Sequence, residues 1–305
     1  MTTKLPSFRV HDSRGRVVLR DGLLFCFFMR RSHGDVAASL WRAVQTYRRA
    51  LPSQALAWYA MPDGERAPLD EAGWESVRKE LLETPYPTGS EARLQESHTE
   101  VGAYNFEYSG KWLDAPTWQG HEDAVSAAAF TLPTEFLLEH GPAHVRDLAL
   151  TLAAELPWSF GYVSPAFISP GGIRGAARQA IQELCLRYPG LDAYNLRPTA
   201  RSIGTRARGA YWLTFLGKPL LNQLGGPEPL RQRLPPSLSL QSLDDERLML
   251  SLGEWPRPGD ANAQDELSSY RALAEVLEPH LYQERAPWLI DETFERRWLR
   301  RFLGG

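Results

Sequence analysis

"RVVLRDGLLFCFFM", residues 16–29, is the stretch on which the reading of the fold turns. The Asp21-Gly22 pair suits a tight hairpin, so the stretch reads as two strands around Arg20-Asp21-Gly22. Cys26 sits inside the apolar run "LLFCFFM", and Cys185 inside "IQELCLRY". Two cysteines in apolar surroundings read as buried free thiols and imply no disulfide framework.

Downstream, "GDVAASLWRAVQTYRRAL" (34–51) reads as a helix, with Asp35 as N-cap and Leu40, Val44 and Tyr47 at helical spacing. "QALAWYAM" reads as a strand, "PDGERAPLD" as a loop, and "DEAGWESVRKELLE" as a helix with acids in its first turn. "ARLQESHTEV" and "GAYNFEYSG" form a hairpin, the second arm carrying Tyr104, Phe106 and Tyr108 at period two. "AVSAAAFTL" is a strand, and "TEFLLEHGPAHVRDLALTLAAEL" is one helix or two, broken near Gly141-Pro142. "WSFGYVSPAF" is a strand, "GGIRGAARQAIQELCLRY" a helix with glycines at its start, and "ARSIGTRARGAYWLTF" one or two strands.

The order strand–helix–strand–helix–strand–strand thus occurs twice, over 23–109 and 123–216. The expected fold is α+β (mixed α/β), with sheet flanked by helices. One compact body over 1–305 is expected, with related halves at 15–110 and 120–216 and a C-terminal extension, 217–305. That extension holds short helical pieces "KPLLNQLGG" and "PEPLRQRLPP", a strand "ERLMLSLG", the loop "EWPRPGDANAQDE", and two closing amphipathic helices.

The chain has 305 residues and a formal charge of −3, so no overall field favours nucleic acid. Its first residues, "MTTKLPSFRVHDSRGR", lack the apolar core of a secretory signal, and no apolar run approaches a membrane span. A cytoplasmic protein is expected, with no membrane and no direct nucleic-acid partner.

Reactive groups are sparse. His140 and His144 have the spacing of a helical zinc pair, but Gly141 and Pro142 lie between them, and no Glu stands beside the first histidine. His121, Glu122 and Asp123 cluster in "GHED", a setting for a divalent ion or simply for a solvated turn. "SPGGIRG" (169–175) is a glycine-rich helix start without the Walker lysine, and Ser164 lacks a nucleophile elbow. No catalytic residue, metal ligand or cofactor site is assigned.

Charge carries more. Residues 1–50 are basic, residues 61–107 acidic, and 244–266 acidic again. A carboxylate-rich loop holding an aromatic suits docking to a basic partner, since the aromatic supplies contact area and the charges steer association. The candidate partner-binding residues are Asp244, Asp245, Glu246, Glu254, Trp255, Asp260, Asp265 and Glu266.

Three separated segments carry a family resemblance. They are Tyr188-Pro189-Gly190-Leu191-Asp192, then Trp212-Leu213-Thr214 with Leu224-Gly225-Gly226, then Pro258-Gly259-Asp260 running on to Tyr270-Arg271. In this order they resemble the type VI secretion immunity family, whose archetypes neutralise VRR-Nuc nuclease effectors. The resemblance implies a non-enzymatic cytoplasmic inhibitor whose partner is a cognate effector toxin, with no cofactor. It also implies that "GAYWLTFLGKPLLNQLGGPEPL" (209–230) is scaffold, with Trp212 and Leu213 packed in a sheet strand, Gly217 and Pro219 ending it, and Gly225-Gly226 stopping a short helix. The alternatives are a divergent metal-dependent hydrolase or nuclease built on His121, Glu122 and Asp123, and an adaptor or chaperone of a secreted toxin.

Overall fold

The computed structural model describes residues 5–61, 63–83, 89–170, 176–263, 266–283 and 292–303. In it β1 (Arg9–His11) pairs antiparallel with the start of β2 (Val17–Met29), a single strand of 13 residues. The expected hairpin at 20–22 is therefore absent. Gly22 pairs with Ala166 in mid-strand, and a Cβ there would lie 2.7 Å from Ile168 Cγ1 and 2.8 Å from the Leu132 carbonyl. Glycine stands at 22 because its neighbours leave no room, and no turn is involved. Asp21 is buried, and its Oδ1 accepts the Phe8 amide at 2.8 Å and meets the Arg9 guanidinium. It fastens the edge strand β1 rather than opening a loop.

The apolar run is continuous because both faces of β2 are covered. Leu23, Phe25, Phe27 and Met29 face a core cluster shared with helices at one side, and Leu24, Cys26 and Phe28 face a second cluster at the other. The first cover comes from α1 (His33–Ala50), which buries Val36, Leu40, Val44 and Tyr47 at helical spacing. Ser32 is its N-cap residue, so Asp35 falls inside the first turn, where a carboxylate still suits the helix dipole. Then come β3 (Trp58–Ala60) and β4 (Arg66–Pro68), the latter inside the expected loop. Next is α2 (Glu71–Leu82), whose N-cap Asp70 accepts the Gly73 amide at 2.9 Å. The expected aromatic hairpin is β5 (Gly89–Gln95) with β6 (Asn105–Lys111), where Phe106 and Tyr108 are buried.

β7 (Ser126–Leu132) leads into α3 (Thr134–Glu155), broken at Gly141, whose φ of 81° no helix accommodates. β8 (Phe160–Ile168) follows, then α4 (Ala176–Arg187), β9 (Asp192–Ala193) and α5 (Leu196–Ala200). The glycines at 171–175 lie outside the described residues. Of "ARSIGTRARGAYWLTF" only the end is strand, β10 (Leu213–Leu216). Residues 201–212 reach it as irregular chain held by side chains. Next are α6 (Leu220–Gln223), α7 (Pro227–Arg233), β11 (Ser239–Ser242), β12 (Leu248–Ser251), α8 (Ser268–Leu277) and α9 (Glu292–Leu299).

The strands form one sheet in the order β11-β12-β10-β8-β2-β7-β6-β5-β3-β4, with β1 beside β2 and β9 beside β8. Every pairing is antiparallel except β8 with β9. The fold is α+β, as expected, with helices on the faces of the sheet. Among the described residues no helix is long and apolar enough to cross a membrane. The scaffold reading of 209–230 holds. Leu213 is buried in β10, Trp212 is buried one residue before it, and α6 ends at Gly225 and Gly226, both at positive φ.

Candidate partner-binding surface

The acidic candidates divide between the two ends of β12. One group lies at the tip of the β11–β12 hairpin, at the free end of the sheet. Its turn is closed by the Leu243 amide donating to the Arg247 carbonyl at 2.9 Å. The other lies in the loop after β12. Four strand residues, about 13 Å at the usual rise, stand between the groups.

Within the hairpin tip, Asp244 Oδ2 pairs with Arg247 Nε at 2.6 Å, and Glu246 Oε1 with Lys218 Nζ at 2.6 Å. Asp245 is exposed and makes no ion pair among the described residues. In the loop, Asp260 lies 3.6 Å from Arg187 Nε, while Glu254 and Glu266 are exposed and unpaired among the described residues. Asp265 lies outside the described residues. The eight candidates therefore do not form one patch of uncompensated charge. Exposed pairs of this kind add little stability, so they leave the carboxylates available for exchange with another cation.

The loop itself is held from below by the segments that carry the family resemblance. The Trp212 indole donates to the Gly253 carbonyl at 3.0 Å, and the Gly190 amide to the Pro258 carbonyl at 2.7 Å. The Arg257 amide donates to the Tyr270 hydroxyl at 3.3 Å. A Cβ on Gly190 would lie 2.0 Å from the Arg257 carbonyl, so only glycine allows the loop to close on that turn. Pro256 and Pro258 are buried, and Trp255 is half-buried against the core cluster beneath α1 and α3. Part of the Trp255 ring is anchor and part is surface.

Asp192, from the first of these segments, sits in a buried network with Arg208, Tyr162 and Tyr211. Arg208 Nη1 donates to both oxygens of Asp192, at 2.6 and 2.7 Å, and to the hydroxyls of Tyr162 and Tyr211, at 3.3 and 2.7 Å. Burial opposes the Arg208 charge, but the Asp192 carboxylate together with Tyr162 and Tyr211 outweighs this, and the guanidinium pKa is raised. The pair spans 16 residues and no periodicity marks it, so sequence reading passed it over.

The other chemical candidates do not assemble. Asp123 pairs with Arg206 at 3.2 Å, whereas His121 packs its ring on Trp118. His140 and His144 pack at tilted angles against each other and against Phe136. Among the described residues no three His, Cys, Asp or Glu side chains converge in a way that could hold a metal ion. Ser164 is buried and faces the Gly190 carbonyl at 3.4 Å. Cys26 and Cys185 are buried free thiols, as expected, and burial pushes both pKa values up, away from the reactive thiolate.

The model of the family TsiV, described as type VI immunity for VRR-NUC, matches residues 39–302. No curated protein matches the chain. Among solved structures, the Pseudomonas aeruginosa T6SS protein PA0821 is similar with a TM-score of 0.76 at 18% identity, over 98% of this chain and 88% of that one. At that identity the likeness is one of fold.

Proposed function

The chain belongs to the type VI immunity family for VRR-NUC, and from that membership we propose that it binds and neutralises a cognate VRR-Nuc-type effector nuclease in the cytoplasm of the cell that makes it. The match over 39–302 carries the reading. The partner is a protein, and the protection is stoichiometric binding rather than turnover. Support comes from the family match, which names an immunity protein.

The surface we assign to the partner runs along β12: the β11–β12 hairpin tip with Asp244, Asp245 and Glu246 at one end, and the pinned loop with Glu254, Trp255 and Asp260, together with Glu266, at the other. A cleft that handles nucleic acid is rich in basic groups. Carboxylates at such a face steer it in, and Asp244, Glu246 and Asp260 can exchange their own-chain cations for the partner's. A loop already held at Gly253, Arg257 and Pro258 loses little freedom on docking. Occlusion of the nuclease's substrate-binding face follows from docking there.

The test is co-expression with a VRR-Nuc-type effector nuclease from the same genome. The expected result is rescue of growth and recovery of a stable one-to-one complex, with nuclease activity suppressed in proportion to complex formed. Rescue without any complex, or suppression at substoichiometric amounts, would overturn the reading in favour of an enzyme.

A further inference from the structure

Lys111 ends β6 with its ammonium group in the interior. Nζ donates to the Val125 carbonyl at 2.8 Å and to Ser109 Oγ at 3.3 Å, and the Trp118 ring centre lies 5.5 Å away. No carboxylate among the described residues comes within 4 Å of it. Buried charges are ordinarily paired, and this one has only neutral acceptors for two of its three protons.

A cavity of about 430 Å³ opens at this group, lined also by Thr117, Trp118, Arg197 and Arg201. Its volume lies within the range of small-ligand sites. Arg201 is exposed and makes no ion pair among the described residues. Two carboxylates line the same cavity. Glu91 is held by Arg197 at 2.9 Å, and burial raises the pKa of Glu80. Three cations thus share one concavity with two carboxylates, one of them already engaged by Arg197.

We infer that this cavity is an oxyanion site, receiving a phosphate or carboxylate group with Lys111 as its buried cation and Arg201 as its exposed one. A bound oxyanion gives the third Lys111 proton an ionised acceptor, and charge-assisted hydrogen bonds of that kind are the strong ones. It also relieves the repulsion among the three cations. Burial depresses the Lys111 pKa to about 7; Glu91 opposes this, and Arg201 and Arg197 add to it. Anion binding therefore takes up a proton at alkaline pH. The site does not depend on the immunity reading, since it lies at the end of β6 beside α5 and α2 and involves none of the residues assigned to the effector.

The probe is sulfate, whose charge is constant from pH 6 to 9, measured by titration calorimetry at fixed ionic strength against chloride. Acetate is run in parallel. The expected result is saturable binding that weakens at least about tenfold in Lys111→Met and several-fold in Arg201→Gln, and that is weaker at pH 9 than at pH 6. Preference for sulfate assigns the natural ligand to phosphates, and preference for acetate assigns it to carboxylates. Lys111→Met keeps most of the side-chain volume, and Arg201→Gln changes only an exposed residue, so at least one folded variant is assured. Binding no stronger than chloride, or binding equal in wild type and Arg201→Gln, would overturn the site.

Discussion

Arg208 Nη1 lies 2.6 Å from Asp192 Oδ1 in the interior, with the guanidinium 1% exposed and the carboxylate fully buried. Arg208 Nη2 also donates to the Ala193 carbonyl, so the pair fixes the short parallel strand β9 to the irregular chain before β10. Removing one partner strands the other in a low-dielectric site, at a cost of about 3–5 kcal/mol. Asp192→Leu and Arg208→Met should each show a loss of that size in denaturant unfolding. The double variant Asp192→Leu with Arg208→Met should lose less than the sum, because it leaves no charge behind. Strict additivity would mean the two groups do not act as a pair.

Gly22 separates the hairpin reading from the strand reading by experiment. In a turn with positive φ, d-alanine would be tolerated and l-residues strained. In the observed strand the obstacle is room, with Ile168 and the Leu132 carbonyl in the way. Gly22→Val should destabilise by about 1–3 kcal/mol, the usual range for overpacking. Pairing it with Ile168→Ala should recover part of that loss, since a side chain can yield where a carbonyl cannot. Unfolding midpoints of the three variants decide the matter.

His33 gives the fold an acid-sensitive point. Its Nε2 donates to the Leu81 carbonyl at 3.1 Å, which leaves Nδ1 to accept from the Tyr108 hydroxyl at 2.9 Å. Burial lowers the ring's pKa below 6.5, with the Leu81 carbonyl opposing. In the unfolded chain the ring protonates first, so the unfolded state holds more protons in this window and stability falls as pH drops below about 6.5. The slope should be shallower in His33→Gln, which keeps a donor and an acceptor without the titration. Equal slopes from pH 7 to 5 in the two proteins would remove His33 from the account.

Charge reversal tests the assigned surface. Asp245, Glu254 and Glu266 are exposed and unpaired among the described residues, so Asp245→Lys, Glu254→Lys and Glu266→Lys should leave folding intact. Association with the effector should slow about tenfold or more at low salt, and the defect should shrink as salt rises, because exposed charges are screened over about 10 Å at 0.1 M. Stopped-flow association at two ionic strengths is the measurement. Unchanged rates in the folded triple variant would move the search to the acidic 61–107 region.

Periodic signals were legible in the sequence. The helical spacing of Leu40, Val44 and Tyr47, the alternation of Phe106 and Tyr108, and the glycine stop at 225–226 all depend on neighbours a few residues away, and each matches the structure. The three family segments were legible too, as separate marks in a fixed order. Their meeting beneath the loop at 252–260 was not, because Gly190, Trp212 and Tyr270 approach it only after the sheet has formed.

What the sequence determined by itself is local and additive: which stretches are apolar on one side, where helices stop, and which family the order of segments belongs to. What the tertiary structure decided is everything that depends on a neighbour distant in the chain. Asp21-Gly22 has the chemistry of a turn, yet strands on either side of β2 make it a strand with a buried anchor. Lys111 reads as an ordinary polar strand end, yet Val125 and Trp118 enclose it. Of the acids at 244–260, Lys218, Arg247 and Arg187 neutralise three, and only the folded chain brings Lys218 and Arg187 to them. Local propensity amounts to tenths of a kcal/mol per residue, whereas burial in the sheet or around a charge involves several, so in the interior the distant neighbour wins.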